Sequence, residues 1–217
     1  MHISIDQTSL TNYIVIQANT FFPDRNAIQK KDIVEYISMG LEKVEFCFSK
    51  INNKYYKKNG EVVFNHLNSD HYSALLYILS RLAFAGEPDT NICIKLYLLN
   101  KCLHGIDIFY EVELPDIFVF VHPLGSVLGR ANYSDYLVVY QKCNIGSNKG
   151  VHPTIGEYVT LHPGSVILGN CNVGDNCKLA AGSLLLDRDL ERDSVYIGNP
   201  KDYTINKSTE INSVWTG

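Results

Sequence analysis

The sequence predicts an α+β chain, a helical first half followed by a parallel β-helix of six-residue repeats. Two observations carry this. From residue 155 to 185 every sixth residue is aliphatic (Ile155, Leu161, Ile167, Val173, Leu179, Leu185), and four places after each of the first five stands a small or short residue (Val159, Ser165, Cys171, Cys177, Ser183). Before residue 105 the apolar residues fall at helical spacing instead. A period of six belongs neither to an amphipathic helix nor to a flat strand. It arises when short strands stack as the faces of a coil, with aliphatic side chains filling the interior and small ones fitting near the corners.

In chain order, Ser9 is placed to cap a short helix through Ala18, and Pro23-Asp24 breaks it. From Lys31 the apolar residues Ile33, Ile37, Leu41, Val44, Phe48 and Ile51 give a helix with one buried face. Asn59-Gly60 signals a turn, and with it a hairpin. Residues 72–85 (YSALLYILSRLAFA) are apolar enough for a buried helix, ended by Glu87-Pro88. Asp89 or Thr90 then caps a helix that runs to His104 and stops at Gly105. Residues 1–104 are thus expected to form a helical domain.

At Gly105 the pattern changes, and residues 105–200 are expected to form the β-helix domain, its coil starting near Ile106. Counting back in sixes from Ile145 gives Val139, Tyr133, Val127, Val121 and Pro115. Cys143, Ala131 and Gly125 take the small position, and Leu137 breaks the rule. Ile145 to Ile155 is ten residues, four more than one repeat, so four residues must leave the coil. Residues 146–153 (GSNKGVHP) are Gly-rich and polar, as an extruded loop should be. The repeat ends near Leu186. A β-helix end exposes an unpaired strand edge, so the helical half is expected over the first coil and the GNP segment (198–200) over the last. Residues 201–217 read as a polar tail, Trp215 aside, expected to be loosely ordered.

The composition sets limits. The 217 residues are 46% apolar and 19% charged, an ordinary globular balance. A net charge of -4 argues against a nucleic-acid footprint. No apolar run reaches the roughly 18 residues needed to span a bilayer, and the N-terminus lacks the pattern of a signal peptide. A cytoplasmic location is expected. The six cysteines include no C-x-x-C, and Cys143, Cys171 and Cys177 sit at the small position as buried thiols.

The repeat also acts as a ruler. Three repeats make a coil, so His122, Tyr140 and His162 should stack on one edge, about 4.8 Å apart per coil, with His152 in the loop extruded nearby. A histidine can be a general base, a metal ligand or a satisfied turn residue. The His-x4-His spacing with which γ-class carbonic anhydrases hold zinc between coils is absent, and no metal is expected.

The run His122-Pro-Leu-Gly125-Ser-Val-Leu-Gly129 resembles the serine O-acetyltransferases of the hexapeptide-repeat superfamily. So do the coil entry at Gly105-Ile-Asp-Ile108, the run Val151-His152-Pro153-Thr-Ile155 (similar to the family's Arg-His-Pro-Lys-Ile), residues 164–182, and the helical piece at Tyr72-Ser73. The resemblance covers residues 70–200. It implies a left-handed β-helix, a homotrimer or a dimer of trimers, and acetyl-CoA as acyl donor in the cleft between neighbouring coils. It implies His122 as general base and His152 orienting the acceptor or stabilising the tetrahedral intermediate. Backbone N–H groups near Gly146, Ser147, Gly164, Ala180 and Ala181 would hold the pantetheine arm, with Pro163 shaping the cleft and Lys178 meeting a CoA phosphate. Asp70, Tyr140 and His162 would face the acceptor.

Two departures bear on substrate. The family's Asp before the base histidine is Val121 here, and its second Asp has no clean counterpart, the count landing on His66 with Asp70 nearby. Three functions therefore stay open: an acetyl-CoA-dependent serine O-acetyltransferase, a sugar O-acetyltransferase of O-antigen or capsular polysaccharide biosynthesis acting on a nucleotide-linked or lipid-linked sugar, and a non-catalytic β-helix scaffold.

Overall fold

A computed structural model describes residues 1–86 and 91–215. The expected helix end at Glu87-Pro88 and the cap at Asp89 or Thr90 lie outside the described residues. The first half contains β1 (His2–Ile3), α1 (Gln7–Phe21), α2 (Lys30–Ser49), β2 (Lys57–Lys58), β3 (Glu61–Phe64), α3 (Ser69–Gly86) and α4 (Asn91–His104). All six apolar positions expected to face inward from Lys31 onward are buried. Asn59 and Gly60, both with positive φ, turn β2 into β3, and β1 pairs with β3 in parallel. The first helix starts earlier than expected. Asp6, not Ser9, is its cap: the Asp6 carboxylate accepts the Ser9 N–H at 2.9 Å, and the helix runs on past Ala18 to Phe21. Both residues are capping types; Asp6 wins because its carboxylate also accepts the Ser9 hydroxyl.

From Gly105 (φ 62) the chain enters a left-handed parallel β-helix with three faces. Its strands are β4 (Phe118–Val121), β5 (Val127–Leu128), β6 (Asn132–Tyr133), β7 (Leu137–Tyr140), β8 (Asn144–Gly146), β9 (Thr154–Ile155), β10 (Thr160–Leu161), β11 (Val166–Leu168), β12 (Asn172–Val173), β13 (Lys178–Leu179), β14 (Leu184–Leu186), β15 (Ser194–Asn199) and β16 (Asp202–Lys207). The first face stacks β4, β7, β10, β13 and β15, with β16 added antiparallel at the end. The second stacks β5, β8, β11 and β14, and the third β6, β9 and β12. Ile155, Leu161, Ile167, Val173, Leu179 and Leu185 are all at most 1% exposed, so the six-residue period is the interior of the coil. Ile145 pairs with Ile167, 22 residues on, which places the four-residue excess in the loop after β8. There Asn148 bridges Val151 across a Lys149-Gly150 turn with φ of 51° and 80°.

The register counted back from Ile145 fails in the first coil. Phe120 pairs with Val139, and Leu128 with Ile145. Phe120 and Leu128 are 1% exposed, whereas Val127 is 41% exposed and Val121 is only partly buried. Eight residues separate Phe120 from Leu128 where six separate Val139 from Ile145, and five separate Leu128 from Tyr133. The first coil thus carries a longer first corner and a shorter second one. A count in strict sixes lands one residue late on the first face.

Both coil ends are covered. The helical half packs on the first coil: Cys47 Sγ donates to the Phe118 carbonyl at 3.1 Å, and the Tyr77 hydroxyl lies 3.0 Å from the Val112 carbonyl and 2.7 Å from the Leu114 N–H. At the other end the β15–β16 hairpin turns through Pro200 and Lys201. The tail is not loose. From β16 it runs back over the outer side of the first face, where Ser208 N–H bonds the Asp193 carbonyl and Asn212 Nδ2 bonds Thr160 Oγ1. It ends with Trp215 bridging Ile51 and resting edge-on against Tyr136 at 5.5 Å. The reason is the outward column Val119, Val138, Thr160, which the tail and the helical half bury.

Candidate active site

Among the described residues nine non-glycine residues have positive φ, and most of those in the β-helix mark its corners. Lys142 shares one column with Gly125, Gly164 and Gly182, between the first and second faces. Tyr136, Tyr158, Asn176 and Asp193 form another, between the third and first. His122 (φ 50) belongs to neither column. It stands in the lengthened first corner, three residues before Gly125, in a conformation that costs an L-residue roughly 1–2 kcal/mol. Such an outlier persists only when its surroundings hold it.

What holds it is Asp70, in the first turn of α3. The His122 N–H donates to Asp70 Oδ1 at 3.1 Å, and His122 Nδ1 lies 3.9 Å from Asp70 Oδ2. The imidazole is 79% exposed and the carboxylate 14% exposed, so a partly buried carboxylate backs an imidazole that faces outward. Burial pushes the Asp70 carboxyl above the ordinary range, and the neighbouring His122 partly opposes this. Asn68 orders the turn: its Oδ1 accepts the N–H groups of Asp70 at 2.9 Å and His71 at 3.4 Å. His71 points into the core, accepts the Asn65 N–H on Nδ1, and packs at 4.4 Å from the Tyr56 ring. Burial lowers its pKa to about 4, so it stays neutral.

Beside this pair opens a cavity of ≈ 340 Å³ lined by Asn53, Tyr55, Tyr56, Asn68, Ser69, Asp70, the β4 segment 119–121, His122 and Val214. Sequence reasoning found Asp70, His122 and Val121 but missed the rest of the wall. Asn59-Gly60 pointed to the hairpin that places Tyr55 and Tyr56, and Asn68-Ser69-Asp70 has the pattern of a helix start. Nothing in the sequence signalled that Val214 comes round from the tail.

The other expected residues distribute over three corners and faces. Tyr140 and His162 do stack, rings 5.5 Å apart and 20° from parallel, but His122 is out of line with them, because Tyr140 pairs with Val121. His162 is held toward neutrality by burial and then by the Lys178 charge. Pro163, Gly164, Ala180 and Ala181 lie at the same corner type as His122 on later coils. Two of the proposed N–H donors are already engaged between coils: Gly164 N–H bonds the Gln141 carbonyl and Ala180 N–H the Tyr196 carbonyl, both at 2.9 Å. Lys178 Nζ is likewise engaged, by the Glu210 carbonyl at 2.6 Å and Ser208 Oγ at 3.2 Å in the tail. Around Gly182 a Cβ would meet nothing within 4 Å, so the later coils present a shallow open corner. Gly146, Ser147 and the exposed His152 lie at a different corner, between the second and third faces. Within one chain the fold does not bring His152 to His122. Among the described residues no cluster of three or more His, Cys, Asp or Glu side chains is placed to hold a metal ion, and no helix is long and apolar enough to cross a membrane.

Comparison with known proteins gives the same architecture. Residues 152–187 match the bacterial transferase hexapeptide (six repeats) family. A serine acetyltransferase of Synechococcus elongatus is 33% identical over 108 residues, 47% of this chain and 43% of that protein. One from Helicobacter pylori is 31% identical over 114 residues, 50% of this chain and 66% of that protein. The chain thus spans about half the length of several relatives it matches. Among solved structures, a serine acetyltransferase from Brucella abortus in complex with coenzyme A superposes with a TM-score of 0.71 at 16% identity, covering 96% of this chain and 85% of that one. A soybean serine acetyltransferase complexed with serine gives 0.69 at 17%, covering 91% and 84%. Repeat, topology and aligned sequence together make the chain similar in sequence and fold to the serine acetyltransferases.

Proposed function

We propose that the protein is an acetyl-CoA-dependent O-acetyltransferase in which His122 is the general base. The observation that carries this is the His122–Asp70 pair, an exposed imidazole on a strained backbone, backed by a partly buried carboxylate at the mouth of a cavity. The relatives' names and the coenzyme A complex of a structural neighbour support the donor.

An alcohol is a weak nucleophile at neutral pH, and a neutral imidazole within hydrogen-bond reach removes its proton as it attacks. The acceptor oxygen bonds to the thioester carbonyl carbon, the C–S bond breaks, and the proton passes from His122 to the departing sulfur. Atoms and charge balance with no further reagent. Asp70 Oδ1 holds the His122 backbone, and its Oδ2 faces Nδ1 as positive charge develops on the ring. The oxyanion needs a preorganised donor. His152 would supply it from a neighbouring copy, since it stands at another corner of its own chain; a homotrimer sharing its clefts provides that arrangement. The later coils' open corner, with Gly182 bare and the exposed Ala181 N–H outside the coil-to-coil bonding, suits an extended pantetheine arm. The six free cysteines fit a reducing compartment, the cytoplasm.

The test is His122→Ala. Thiol release from acetyl-CoA in the presence of acceptor should fall by ~10²–10⁴ while calorimetric coenzyme A binding is kept. Near wild-type turnover would remove His122 from the role, and no coenzyme A binding by the wild type would favour a non-catalytic scaffold.

A further inference from the structure

The wall of the cavity bears on which hydroxyl is acetylated. An α-amino acid is a zwitterion, and a pocket that takes it from water must offer a carboxylate to its ammonium and a cation to its carboxylate, or leave a desolvated charge unpaired. This wall offers Asp70 and, apart from His122, no cation: among the described residues no Lys or Arg lines it. One further position points the same way: Val121, beside His122, is a wall residue without charge.

Apart from Asp70 and His122, what the wall offers is neutral. Asn53 Oδ1 accepts the Tyr55 N–H at 2.9 Å, and Asn68 Oδ1 accepts two N–H groups of α3. Each carboxamide is therefore oriented by its oxygen, which leaves its NH₂ as the group available to a ligand. Ser69 adds a hydroxyl. Asp70 adds a carboxylate that can accept from two hydroxyls at once. Tyr55 is 61% exposed and Tyr56 5%, so the wall also presents an aromatic ring to an apolar face. Donor amides, one carboxylate and an aromatic surface around a cavity of ≈ 340 Å³ match a polyhydroxylated ring. A free amino acid would fill only part of it. Lys54 stands outside the wall, its Nζ 5.2 Å from the Tyr55 ring centre.

We infer that the cavity beside His122 and Asp70 takes a neutral sugar ring, and that a sugar hydroxyl, rather than the hydroxyl of a free amino acid, receives the acetyl group. This rests on the acetyltransferase reading above. The same ring chemistry can arrive as a free sugar, a nucleoside-diphosphate sugar or a lipid-linked sugar, and the test separates these.

The full-length chain is assayed for thiol release from acetyl-CoA with L-serine, L-homoserine, free hexoses and N-acetylhexosamines, nucleoside-diphosphate sugars and short-chain lipid-linked sugars. Products are checked by mass, and calorimetry with coenzyme A runs in parallel. We expect at least one sugar to be acetylated with kcat/KM roughly 1,000-fold above that for serine, more than the roughly 10–200-fold that one methylene gives. The exposed Tyr55→Ala variant should raise the sugar's KM about tenfold, the effect of losing about 1.4 kcal/mol, with coenzyme A binding unchanged. Preference for serine over every sugar overturns the inference and leaves the transferase reading standing. So does a panel in which no sugar accepts acetyl or shows saturation transfer from the protein in NMR. Failure to bind coenzyme A at all overturns the transferase reading itself.

Discussion

Trp215 is the sole tryptophan and the last described residue, and it pins the tail that supplies Val214 to the cavity. Trp215→Ala therefore tests whether the tail is structural and whether it shapes the site. The side chain is 5% exposed. An indole of this burial removes about 200 Å² from water, worth about 5 kcal/mol at ~25 cal/mol per Å². Its Nε1 has no hydrogen-bond partner, and an orphaned buried donor costs about 2 kcal/mol. The expected loss on truncation is the difference, about 3 kcal/mol, at the low end for aromatic-to-alanine changes. Urea unfolding followed by circular dichroism measures it in both proteins. In the wild type the fluorescence of this one residue reports tail docking directly: a blue-shifted emission should redden with the global transition, not before it. Acceptor KM should rise several-fold with coenzyme A affinity kept, because the Val214 wall loosens. A stability loss below about 1 kcal/mol, or emission that reddens well before the circular dichroism changes, would refute the docking argument; an unchanged acceptor KM would refute the link to the cavity.

Three further outcomes follow from the geometry. Asp70→Asn keeps an oxygen for the His122 N–H but removes the charge facing Nδ1, so kcat should fall by ~10–100-fold with coenzyme A affinity unchanged; wild-type kcat would mean Asp70 only shapes the turn. Gly156→Ala would set a Cβ 2.9 Å from the Asp175 backbone nitrogen, an overpacking expected to cost about 1–3 kcal/mol by urea unfolding, and no cost would mean the coils shift apart there. Burial holds His71 and His104 at about 4, below the ordinary 6.5. Below 6.5 the unfolded chain binds protons that the folded chain refuses, so stability is full above that pH and falls as pH drops toward 4. His71 alone accounts for a loss of up to about 3 kcal/mol, read as a lower urea midpoint at pH 5 than at pH 7; equal midpoints would contradict it.

The β-helix was legible because its interior admits little choice. A triangular coil has one inward position per face, so Ile155 to Leu185 had to be aliphatic in sixes, and the four surplus residues after Ile145 could only be a loop. The helical half was legible for a similar reason, since Ile33 to Ile51 must present one stripe to the core. Asp6 and Ser9 show the limit of local signals, both being capping residues of nearly equal merit. In the candidate site the sequence named both His122 and Asp70, but not their contact: Asp70 precedes His122 by 52 positions, and the contact depends on how α3 docks on the first coil.

Sequence alone determined what must be buried, and therefore the repeat, the helical stripe, the extruded loop at His152 and the thiols at the small positions. Only the tertiary structure decided how long the first corner is, and with it that Phe120 and Leu128, not Val121 and Val127, face inward. It also decided that the tail lies along the first face, engages Lys178 and closes the cavity with Val214. The physical reason is the same in each case. Inward positions are set by a local demand for apolar volume, which every repeat states again. Corner length, docking and the path of a polar tail are set by contacts between residues far apart in the chain, which no local pattern records.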